Sequence, residues 1–190
     1  MKHKSIILLA LLLATSTLWA QHLTFKGVPI TGAPKALSDQ LQKKGLHAGI
    51  TASDGTLFLS GTFATIDDCD IAIHSNEQGQ SYLVVVFFPG QKTWGELRQR
   101  YQDIKSLLTQ KYGMPGIVLE HFDSDIVEKS NYLALNAIEK NETTYGSAWQ
   151  LDNGTIELAI IYAAREHHVV LRYTDSAGQQ QTIQQALEDL

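Results

Sequence analysis

The chain has one cysteine, four prolines, no cluster of lysine and arginine and, after its first twenty residues, no long apolar run. A lone thiol excludes an intrachain disulfide framework, so stability must come from a packed core. Few prolines, and only 14 glycines among 190 residues, exclude collagen-like and proline-rich disordered chains. Twenty acidic side chains outnumber 15 basic ones, for a net charge of −5. Without a basic track a phosphate backbone finds no footing, and nucleic acid is not expected as a partner. Gly-x-Ser-x-Gly and Ser-x-x-Lys are absent downstream of residue 20, as are a Gly-rich phosphate loop, a CxxC pair and HExxH.

What is present begins with an export signal. Lys2, His3 and Lys4 form a basic start, Ile6 to Ala14 an unbroken apolar run, and Thr17-Leu18-Trp19-Ala20 a cleavage site. The run is much shorter than the roughly 20 apolar residues a bilayer demands, which favours a cleaved signal over an anchor. The reading is a signal peptide over residues 1–20, a single domain over 21–190, and a periplasmic or secreted protein with no membrane span after cleavage. Cys69 lies too far downstream to carry a lipid at the cleavage point.

Trp94, Leu97, Tyr101, Ile104, Leu107, Leu108 and Tyr112 recur at three- and four-residue steps and predict a helix from Trp94 to Tyr112. Thr93 with Glu96 forms its capping box, and Gly113 and Pro115 end it. A shorter helix is predicted from Pro34 to Lys44, and a last one from Ile183, Ala186, Leu187 and Leu190 on one helical face. Elsewhere the period is two. Leu57, Leu59 and Phe63, then Cys69, Ile71 and Ile73, then Leu83, Val85 and Phe87 predict the inward sides of three strands. Tyr145, Trp149 and Leu151, then Ile156, Leu158 and Ile160, then Val169, Leu171 and Tyr173 predict three more. Asn153-Gly154 reads as a two-residue hairpin turn, since both residue types tolerate positive φ. The expected fold is α+β, an antiparallel sheet with helices packed on one face. Gly61-Thr62-Phe63 against Ser147-Ala148-Trp149, and Asp70-Ile71-Ala72-Ile73 against Glu157-Leu158-Ala159-Ile160, suggest duplicated helix-plus-strand-meander halves over 21–92 and 93–190. Asp123 to Glu142 has no counterpart in the first half and reads as an insertion.

The stretches Phe25-Lys26-Gly27-Val28-Pro29-Ile30-Thr31-Gly32, Lys111-Tyr112-Gly113 and Gly154-Thr155-Ile156-Glu157-Leu158 resemble a family of uncharacterised small exported proteins of Gram-negative gut bacteria. Duplicated helix-plus-antiparallel-sheet units are also similar to the β-lactamase inhibitor protein fold. Neither likeness brings a catalytic residue with it.

Asp67-Asp68-Cys69-Asp70 with His74 is the most tempting metal cluster. On a strand rising about 3.3 Å per residue, Asp70 and His74 lie about 13 Å apart, too far to share an ion. Calcium on Asp67, Asp68 and a loop carbonyl survives as an alternative to solvated turn carboxylates. In Glu166-His167-His168 the two histidines point to opposite faces of a strand, which argues against zinc. His121, Asp123 and Asp125 could approach a ligand from one side or be loop polarity. Cys69 is in phase with Ile71 and Ile73, so its thiol is expected to be buried and inert. No metal, cofactor or catalytic residue is predicted.

The same alternation sends Phe58, Tyr82, Val84, Val86 and Phe88 to the outward face, beside Asp68, Asp70 and His74. That face is too apolar to be left in water. Either the insertion or a long loop covers it, or it docks a partner, and these eight residues are the predicted binding site. The expectation is an exported, non-catalytic binding or inhibitory module of the bacterial envelope, whose partner is another envelope or extracellular protein. An enzyme of hydrolase type with a site dispersed in sequence, and a structural envelope protein, are the alternatives.

Overall fold

The computed structural model describes residues 22–122 and 124–188. The predicted signal segment 1–20, with Gln21, Asp123 and Leu190, lies outside the described residues. A small hairpin, β1 (Thr24–Phe25) and β2 (Val28–Pro29), leads into α1 (Pro34–Gln42) and then four strands: β3 (His47–Thr51), β4 (Leu57–Phe63), β5 (Ile66–Ser75) and β6 (Ser81–Phe87). The long helix α2 (Trp94–Tyr112) follows, then a short strand β7 (Ile117–Leu119) and two helices, α3 (Asp125–Lys129) and α4 (Asn131–Glu139). Strands β8 (Tyr145–Leu151), β9 (Gly154–Ala163) and β10 (Glu166–Asp175) and a last helix α5 (Ser176–Glu188) complete the described chain. β3 to β10 form one eight-stranded antiparallel sheet in the order β3-β4-β5-β6-β10-β9-β8-β7. The α+β class with antiparallel sheet is therefore the one the sequence predicts. β6 and β10 meet at the centre, and β3 and β7 form the two edges.

One sheet face carries the main core. Leu59, Ile71, Ile73, Val84, Val86, Ile156, Leu158, Val169 and Leu171 pack there with Leu37 and Leu41 of α1 and with Trp94, Leu97, Tyr101, Ile104 and Leu108 of α2. The capping box forms as the sequence indicates: Glu96 N donates to Thr93 Oγ1 at 3.2 Å, and Thr93 N donates to Glu96 Oε2 at 3.1 Å. The insertion lies on this same face. Ala134, Ala137 and Ile138 of α4 join the main core, and Asn131 Oδ1 accepts from Trp94 N at 2.6 Å, adding a cap to α2. The first strand pair is tied to the C-terminal helix by one fully buried carboxylate. Asp175 accepts from Leu23 N at 2.7 Å and Gly178 N at 3.0 Å, with His22 Nδ1 at 3.0 Å.

The structure corrects the expected phase of β6. Val84, Val86 and Phe88 lie in the main core with no exposed surface, while Leu83, Val85 and Phe87 face the other way. Tyr82-Leu83-Val84-Val85-Val86-Phe87-Phe88 is apolar throughout because Val84 and Val86 enter the main core while Val85 enters a smaller apolar cluster on the other face, and such a run carries no alternation to read. Pairing with β5 sets the phase instead: Ile71 lies opposite Val86 and Ile73 opposite Val84, which puts both valines on the core side. The β8–β9 turn also differs: Leu151 pairs with Gly154, so the turn residues are Asp152 and Asn153, neither at positive φ. Gly154 is needed for closeness rather than for a turn, since a Cβ there would come 2.2 Å from Thr174 O.

Candidate functional site

The second face of the sheet holds a smaller cluster: buried Ala72, Val85 and Val170, with Phe58, Leu83, Phe87 and Ile161 partly exposed around them. No residue of α1, α2 or α4 belongs to it. Its cross-strand rows follow from the register. Phe58, Ala72, Val85, Arg172 and Glu157 are successive partners, and so are Ser60, Asp70, Phe87 and Val170. Towards β3 this face sinks into a groove of about 470 Å³. Phe58 and Phe87 supply its aromatic lining, Gly49 and Ile50 of edge strand β3 one rim, and Ala163, Ala164 and His168 the other. Gly49 is required by closeness: a Cβ there would stand 2.8 Å from Phe58 O.

Two ionisable side chains line the groove. Asp70 is exposed, and among the described residues it makes neither hydrogen bond nor ion pair. His168 stacks edge-on to Phe87, with ring centroids 6.2 Å apart and planes at 89°. Its Nδ1 lies 2.9 Å from Phe88 O. A carbonyl can only accept, so Nδ1 carries the proton and Nε2 of the neutral ring is an acceptor. The β9–β10 turn beside it holds Ala164 and Arg165 at φ 51° and 70°, a left-handed conformation that non-glycine residues resist.

Of the eight predicted binding residues, Phe58 and Asp70 line this groove. His74 shares their face further along β5, where Nδ1 lies 3.2 Å from Thr56 Oγ1. Burial, against the opposing pull of Asp54, holds the His74 ring below its usual pKa of 6.5. Asp68 sits exposed at φ 55° in a bulge of β5, where its neighbour Asp67 accepts from Thr62 Oγ1 at 2.6 Å. Val84, Val86 and Phe88 are in the main core, away from the groove, and Tyr82 is half-buried where Gly178 of α5 packs against it. The sequence reading missed Ile50, Phe87 and Ala163 as site residues. Treating the unbroken apolar run of β6 in both phases would have recovered Phe87.

His167 and Cys69, and the buried hydroxyls under α2, are held by internal contacts. His167 and His168 lie on opposite faces, with His167 Nε2 3.0 Å from Leu135 O. The Cys69 thiol is fully buried 3.3 Å from Ile66 O, and burial pushes its pKa up. Under α2, Tyr101 Oη lies 2.7 Å from Glu120 Oε1 and 2.8 Å from Ser147 Oγ, which is 3.0 Å from the same Oε1. Lys105 Nζ also donates to that carboxylate. Burial alone would raise the Glu120 pKa, but donation from Lys105, Tyr101 and Ser147 holds it below 4.5. Burial drives the Tyr101 phenol far above its usual value of 10.0. All three donors converge on one carboxylate, and Tyr101 and Ser147 are 0% and 3% exposed, so the hydroxyls have neither a free base nor access to substrate. Among the described residues no three His, Cys, Asp or Glu side chains gather as a metal site would need, and no helix is long and apolar enough to cross a membrane.

The chain matches no protein-family model, no curated protein and no solved structure. Its functional reading therefore rests on the groove.

Proposed function

We propose that this protein is an exported, non-catalytic binding module of the bacterial envelope that holds an apolar group of its ligand in the groove on the second face of the sheet. One observation carries the reading: partly exposed Phe58 and Phe87 line a cleft of about 470 Å³ on a face to which α1, α2 and α4 contribute nothing. Sites for small ligands are of that size and are mostly apolar with a few polar groups. The volume suits a small molecule or a single projecting side chain. Export is supported by the basic start and apolar run of residues 1–20.

A neutral aromatic probe, 2-phenylethanol, tests the reading through mass action on stability. It should raise the melting temperature of the protein in a saturable way. Ala163→Trp, which fills the groove from its rim, should abolish the rise while leaving the circular dichroism spectrum unchanged. An equal rise in the filled variant would contradict the proposed site.

A further inference from the structure

The charge of the groove selects the ligand class. Among the described residues that line it there is no lysine or arginine, whereas Asp70 offers an unpaired carboxylate at the middle of the Ser60–Asp70–Phe87 row. The second ionisable group cannot donate into the groove when neutral, because the single ring proton of His168 is spent on Phe88 O. Glu166, whose Oε2 lies 3.9 Å from His168 Nε2, adds another negative group beside the rim. The aromatic faces of Phe58 and Phe87 are themselves electron-rich and favour a cation over an anion. Apart from the Ser60 hydroxyl, which can donate or accept, the site is thus built of acceptors, carboxylate charge and aromatic surface. From these observations, and resting on the binding reading above, we infer that the groove takes a small apolar amine: an aromatic or aliphatic body against Phe58 and Phe87, with a protonated amino group donating to Asp70.

The lining argues against the opposite charge. A carboxylate or phosphate in the same place would meet Asp70 without a compensating cation in the groove. A neutral apolar molecule would fill the space but leave Asp70 without the donor that distinguishes an amine.

Three probes of one shape separate these cases: 2-phenylethylamine, 2-phenylethanol and 3-phenylpropionate, each titrated into the full protein calorimetrically at two salt concentrations. The amine should bind about tenfold more tightly than the alcohol, the carboxylate more weakly than either, and salt should erode the preference for the amine. Asp70→Asn should abolish that preference, with an unchanged circular dichroism spectrum reporting intact folding. If alcohol and amine bind equally, or the carboxylate binds best, the amine assignment is overturned while the binding reading stands. If no probe binds, both fall together.

Discussion

At the scale of single residues the most informative positions are those where the backbone defies its side chain. Ala64 and Thr65, at φ 49° and 66°, and Ala164 and Arg165, at 51° and 70°, close two hairpins in conformations that glycine or asparagine would adopt with less strain. Arg165→Gly should therefore stabilise the protein by about 0.5–1 kcal/mol, measured by urea unfolding. A loss of stability would mean that the Arg165 side chain contributes more than its backbone costs. Titratable groups set the pH response. His74 is held below 6.5 and Glu120 below 4.5 in the folded protein. As pH falls beneath 6.5 the unfolded state takes up a proton at His74 that the folded state refuses. Beneath 4.5 the same holds at Glu120, so each contributes stability that is full above its unfolded pKa and fades as pH drops through the folded one. Tyr101 and Tyr173 are shifted upward by burial, so their contribution is full below 10.0 and fades above it. The melting temperature is expected to fall on acidification from pH 7 to pH 4, and Glu120→Gln to flatten the lower part of that fall. A melting temperature that rises on acidification would contradict both assignments.

Among the elements, the sequence is most legible where one face is wet. α2 alternates apolar and polar residues at helical spacing and carries its cap in Thr93 and Glu96, so its bounds at Trp94 and Tyr112 could be read directly. β4, β5, β9 and β10 likewise show their inward residues because the other side is partly polar. β6 hides its phase because both of its sides are apolar, which removes the alternation, and with it went half of the predicted site. Paired substitutions test the phase as the structure has it. Phe88→Ala, in the main core, should cost about 3–5 kcal/mol, whereas the same truncation at the partly exposed Phe87 should cost less and leave the fold intact. The reverse order of costs in urea unfolding would restore the phase expected from sequence. Gly154 was legible as a special position, but for the wrong reason, since a tight turn and a close backbone approach both demand glycine.

For the whole molecule, the sheet order divides labour between its faces. β6 and β10 meet at the centre of the sheet, and the helices α1, α2 and α4 add their apolar residues to one side alone. The second side is left with a small apolar cluster and the groove near β3. The groove depends on residues far apart in sequence, from Gly49 to His168, that only the antiparallel register brings together. That is why strand alternation indicated an apolar outward face but could not delimit the groove. Its occupancy is tested most directly by following backbone amide shifts while 2-phenylethylamine is titrated into isotope-labelled protein. The account predicts saturable shifts concentrated at Gly49, Phe58, Asp70, Phe87, Ala163 and His168, with α2 unaffected. Shifts centred on α2 and the helix-covered face, or none at saturating probe, would contradict it.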